Sequence, residues 1–131
     1  MSEPHLFPVR VYYEDTDFSG NVYHAAYLHF FERGRTEFLR ARGVHHSELM
    51  KDGIAFAVRS MHVEFEAAAH IDDELVVETS VASATGARLH LEQRVSRGGK
   101  LIAHARVLVV AIRIGGGVAR LPRALASRLA E

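Results

Sequence analysis

A chain of 131 residues is one domain's worth, long enough to bury one core. Its sixteen Lys and Arg balance its sixteen Asp and Glu, so it lacks the basic excess of a general nucleic-acid binder. It has no cysteine, which excludes disulfide scaffolds, thiolate metal sites, cysteine nucleophiles and iron–sulfur clusters. The longest apolar run, Val107 to Ile112, is strand-length and far short of a membrane-crossing helix. The start, Met1-Ser2-Glu3-Pro4-His5, has neither the basic nor the apolar region of a secretory signal. The expectation is one cytoplasmic domain over residues 1–131.

Leu6 to Glu14 reads as a strand, with Val9, Val11 and Tyr13 alternating against Arg10, Tyr12 and Glu14. Asp15 to Asn21 is a turn cluster. From Val22 to about Arg42 there is no Pro, and Gly34 is the one interior Gly. Val22, Ala25, Ala26, Leu28, Phe30, Phe31, Phe38 and Leu39 predict a long helix packed on several sides. Gly43 sits where a glycine stop belongs. His45 to Gly53 reads as a loop or short helical turn.

Four strands follow, over Ile54–Glu66, Glu74–Ala84, Ala87–Arg97 and Leu101–Ile114. Gly98-Gly99 is a two-residue hairpin signal, and Thr85-Gly86 marks another turn. Gly115 to Gly117 lacks the Lys-Ser/Thr sequel of a phosphate loop and reads as a turn. Pro122 to Ala130 reads as a short helix. One long helix cannot cover both faces of a doubly wound sheet. The order therefore predicts an α+β domain, an antiparallel five-stranded sheet wrapped around one long helix. The sheet's other face then needs a cover, for which a second subunit is the simplest.

Arg10 to Arg42 carries most of the chemistry: a strand, an acidic turn containing Gly20, then an apolar helix. A helix N-terminus offers unpaired N–H groups and partial positive charge, which can hold a polarised carbonyl oxygen. A carboxylate just upstream suits acyl transfer. Acidic residues before a helix are common, and spacing alone favours the reading that Asp15, Asp17 or Ser19 merely caps it.

The stretch closely resembles the active-site segment of the 4-hydroxybenzoyl-CoA thioesterase family, nearest its Tol-Pal-associated acyl-CoA thioesterase branch. The matching residues run from Arg10 to Asp17, then Gly20, Val22-Tyr23-His24-Ala25, Tyr27, Phe31-Glu32-Arg33, Arg35-Thr36-Glu37 and Leu39-Arg40. Further matches lie in Ala57-Val58-Arg59, Val63-Glu64-Phe65, Ala67, Ala69, Ile71-Asp72-Asp73 and Glu92 to Val95, and they fade after Ile114. The resemblance implies the hotdog fold, a dimer or tetramer, and hydrolysis of acyl-CoA thioesters with no metal and no organic cofactor. It implies that Asp17 is catalytic, as nucleophile or as base on water, and that the backbone N–H of His24 polarises the thioester carbonyl. Gly20 matches the family's turn glycine, where a side chain would crowd the acyl group. Val22, Tyr23 and Arg59 are the accompanying substrate-binding candidates. Phe18 and Ser19 stand where the branch often has small residues, and Phe18 there would narrow the acyl pocket. Gly34 replaces the branch's usual Ala and would mark close packing.

Asp15 could share a proton with Asp17, but the favoured reading is that it bonds turn amides or pairs with an arginine. The His24 imidazole is a second possible base. His24 and His29 lie about 140° apart on a helix and make no ligand pair. His45-His46-x-Glu48 reads as a solvated loop, and His62, His90 and His104 as ordinary strand residues. No His/carboxylate triad of metal ligands is evident in the spacing. Glu32/Arg35 and Glu37/Arg40 read as pairs on a solvated helix face. Coenzyme A carries phosphates, and Arg59, Arg88, Arg97 and Lys100 are the unranked candidates to meet them. The expected partners are an acyl-CoA substrate and further copies of the chain, with acyl-carrier protein or envelope-complex proteins as alternatives. Two other functions stay open: a hotdog dehydratase on hydroxyacyl thioesters, and a non-enzymatic acyl-thioester binder or scaffold. The first needs a catalytic His where this turn has Asp17.

Overall fold

A computed structural model describes residues 3–130. Five antiparallel strands form one sheet in the order β1-β3-β4-β5-β2, with β1 at His5–Arg10, β2 at Ile54–Phe65, β3 at Glu74–Thr85, β4 at Arg88–Arg97 and β5 at Lys100–Arg113. The 18-residue helix α1, His24–Ala41, lies across β1 and β3. Gly43, at φ +76, follows its C-terminal end as the glycine stop requires. Two short helices, α2 at His46–Lys51 and α3 at Arg123–Ala130, complete the described chain. Among the described residues, no helix is long and apolar enough to cross a membrane.

The first strand is shorter than its alternation predicts. The Asp15 carboxylate accepts the Tyr12 N–H at 2.9 Å, and Tyr13–Asp15 winds into a 3-10 turn. Tyr13 is therefore 82% exposed instead of facing the core. Val22, expected inside the helix, forms an antiparallel bridge with Thr16 just before it.

Register sorts the sheet into two faces. Val77, Thr79, Leu89, Leu91, Gln93, Val95, Ala103, Ala105, Val107 and Val109 are buried on the α1 side. The alternate positions Glu78, Glu92, Arg94, His104 and Arg106 lie on the face away from α1. Val76, Leu108 and Val110 share that face, so it mixes polar and apolar positions. Further uncovered apolar surface lies beside α1 along edge strand β2, where Val58 and Phe65 are about half exposed, with Leu28 of α1 similarly open.

Arg35 does not belong to a solvated face. It is buried, and its Nη1 donates to Gln93 Oε1 at 3.0 Å. Gln93 Nε2 in turn donates to Phe31 O and Thr79 Oγ1, both at 2.9 Å. This network pins α1 to β3 and β4, and burial pushes the Arg35 guanidinium pKa below its ordinary value despite Glu32. Glu37 and Arg40 do pair, at 2.5 Å.

Gly34 lets the helix approach the sheet at this point. A Cβ on it would lie 2.6 Å from Val77 Cγ1 and 3.3 Å from Gln93 Nε2. Gly34→Ala gains about 1 kcal/mol of helix propensity. Overpacking against fully buried Val77 costs roughly 1–3 kcal/mol. The expected net is a lower melting temperature, read by thermal denaturation. A raised one would show that the sheet yields freely.

Candidate active site

The Thr16–Val22 bridge closes a short loop over residues 17–21. Inside it the Asp17 N–H donates to Asn21 O at 2.9 Å, and the Gly20 N–H to Asp17 O at 3.0 Å. Gly20 has φ +83, a conformation that favours glycine, while a Cβ there would meet nothing within 4 Å of this chain. Backbone geometry, not crowding within the chain, accounts for that glycine.

The loop leads straight into α1. Tyr23 is the N-cap residue, with extended backbone and no side-chain cap bond, and its N–H donates to Asp15 O at 3.2 Å. None of the three capping candidates caps the helix. Asp15 is occupied with Tyr12, and Asp17 Oδ1 accepts both the Ser19 N–H at 2.8 Å and the Ser19 hydroxyl at 2.5 Å. The first turn of α1, which begins at His24, thus keeps donors that helix geometry leaves unpaired and no side chain caps. The Ser19 hydroxyl, then the Ser19 N–H, holds the Asp17 carboxyl below its ordinary pKa against a smaller desolvation effect. Asp17 is exposed, ionised at neutral pH and held in orientation by Ser19.

A shelf behind the loop sets its position. The Val22 N–H donates to Ala69 O at 2.8 Å, and Asn21 bridges His70. The His70–Asp73 turn is tied by Asp73 Oδ2, which accepts the His70 N–H at 2.9 Å and Arg97 Nη1 at 2.7 Å. Arg97 Nη1 also donates to Ala68 O at 3.1 Å. The His70 N–H is the main cause that lowers the Asp73 carboxyl pKa, and Arg97 adds to it. Sequence reasoning missed this support, although Ile71-Asp72-Asp73 was its visible trace. Arg97 is consequently engaged in structure rather than open to phosphate.

The other candidates disperse. Val22 is buried in the core. Tyr23 is 39% exposed, its ring edge-on to His24 at 6.1 Å. Phe18, expected to narrow a pocket, is fully exposed beside Asp17 in this chain. Arg59 stands apart on β2, at the bulge between Val58 and Ser60. It lines a pocket of about 320 Å³ with Arg88, Thr85, Gly86 and Val118, and neither arginine has an ion-pair partner among the described residues. An apolar groove of about 280 Å³ runs between α1, at Arg35 and Leu39, and Phe56, Val58, Leu89 and Val109 of the sheet.

A family model, the thioesterase-like superfamily, matches residues 11–129. An acyl-CoA thioesterase of Haemophilus influenzae, YbgC, is 46% identical over 110 residues, spanning 83% of this chain and 81% of that one. The acyl-CoA thioester hydrolase YbgC of Escherichia coli O157:H7 is 48% identical over 107 residues, spanning 81% and 80%. The crystal structure of a probable thioesterase from Bartonella henselae superposes with a TM-score of 0.87 at 42% identity, covering 92% of this chain and all of the other.

Proposed function

The chain belongs to the thioesterase-like superfamily, and from that premise we propose that it hydrolyses acyl-CoA thioesters to a carboxylic acid and CoA. The observation that carries the reading is the uncapped N-terminus of α1 directly after the loop holding ionised Asp17. The thioester carbonyl oxygen docks on the His24 N–H, which stabilises the negative charge that develops on it. Asp17 then acts in one of two ways. Its carboxylate attacks the carbonyl carbon, the C–S bond breaks, CoA leaves as thiolate and takes a proton, and water hydrolyses the acyl anhydride. Alternatively it accepts a proton from water as the water attacks, and CoA leaves from the tetrahedral intermediate. An acyl group over the loop would exclude water and raise the basicity that Ser19 lowers. Gly20 keeps the loop open, Tyr23 lies beside the acyl path, and Val22 anchors its floor.

Arg59 and Arg88, two cations in one concavity without carboxylate partners, are assigned to the CoA phosphates. The half-exposed Val58, Phe65 and Leu28 are covered by a second copy, so the acyl pocket lies at a subunit interface of a dimer or tetramer. Sedimentation at micromolar protein should show a dimer or larger, and a fully active monomer would refute this. The reading takes residues 1–131 as one cytoplasmic catalytic domain. Acyl-carrier protein is the alternative thioester carrier.

Free-thiol detection with short, long, branched and aromatic acyl-CoAs tests the activity and names the acyl group. Turnover on any of them excludes a pure binder or scaffold. Because no step requires a metal, turnover should be unchanged by EDTA. A chelator-sensitive enzyme restored by zinc would overturn the mechanism.

A further inference from the structure

Strand register assembles a cluster that the linear spacing concealed, on the sheet face away from α1. Glu64 of β2 is the direct cross-strand partner of His104 of β5. Glu66 follows β2, its N–H donating to Ile102 O at 2.8 Å, and its Oε2 lies 3.1 Å from His104 Nε2. One donor atom from each of the three lies within 4.8 Å of the other two. Phe65, between the two glutamates, points the other way, against Tyr27 of α1 with ring centroids 5.4 Å apart.

We propose that Glu64, Glu66 and His104 form a divalent-metal site of the Zn²⁺ type. Zinc bonds of roughly 2.0–2.1 Å place neighbouring tetrahedral donors about 3.3 Å apart. The Glu66–His104 separation is already close to such an edge. One imidazole and two carboxylates without thiolate suit Zn²⁺ and its neighbours, and three protein donors leave a position for water. Two adjacent carboxylates also gain from a cation between them. His62 Nε2 stands 3.2 Å from Glu64 Oε1, where it orients that ligand. The cations facing this surface are Arg94, 3.9 Å from Glu78, and Arg106, the register partner of His62. Arg94, the register partner of His104, and Arg106 are the competing charges.

The test is equilibrium dialysis of the full chain against ZnCl₂, with the visible spectrum of added Co²⁺ as a geometric readout. With nine histidines in the chain, the decisive quantity is the difference between variants. The wild type should retain one equivalent more than His104→Ala or Glu66→Gln and show a tetrahedral Co²⁺ band that both variants lack. His62→Ala should keep the equivalent but bind it roughly 10–100-fold more weakly. If His104→Ala fails to fold, Glu66→Gln, at an exposed position, decides alone. Equal metal retention by wild type and Glu66→Gln would overturn the site. No thioester enters the assay, so the result is independent of the proposed activity.

Discussion

Asp17→Asn is expected to lower thioester turnover by at least roughly 10²-fold with little change in melting temperature. The amide oxygen of Asn can still accept the Ser19 N–H and hydroxyl, so the loop keeps its shape. What is lost is the charge and the basicity. If Asp17 only closes the loop through Ser19, turnover should stay near normal, and more than half of wild-type activity would sink the catalytic role. Asp15→Asn is the matched control. Its carboxylate bonds the Tyr12 N–H, a contact the amide oxygen also makes, so turnover should fall much less.

His24→Pro is expected to cost roughly 10²–10³-fold in kcat, the usual effect of losing one oxyanion donor. His24 is the first helical residue, the position at which proline is best tolerated, because no intrahelical bond is lost there. Tyr23 before it already has φ −84 and ψ 156, the extended conformation that a following proline requires. The helix should therefore form, and circular dichroism would verify it. His24→Ala separates the backbone from the ring. It keeps the N–H and removes the imidazole, so it should retain most activity. Comparable losses in both variants would move the role from the N–H to the imidazole.

The extent of α1 and of the four long strands was legible in the sequence because each depends on local periodicity. Phe30, Phe31, Phe38 and Leu39 repeat at helical spacing, and Leu89, Leu91 and Val95 alternate at strand spacing. Gly98-Gly99 and Gly43 mark turns by conformations that neighbours do not alter. Asp17 and His24 became candidates only through resemblance, whereas spacing alone favoured capping. Tertiary structure removed the capping reading, because the Asp15 and Asp17 carboxylates are bonded to Tyr12 and Ser19 and the helix start is uncapped, and the catalytic reading rests on the Asp17→Asn test.

What pairs across the sheet could not be read along the chain. Arg35 looked like a surface partner of Glu32, yet it turns inward to Gln93, 58 residues away. Glu64 and His104 became neighbours only when β2 met β5 in one register. Arg59 met Arg88, and Arg97 was claimed by Asp73, for the same reason. Local periodicity determines which residues form an element and which face they share. Which side chains from distant elements meet is decided by strand order and register, and these are set by packing the whole core at once.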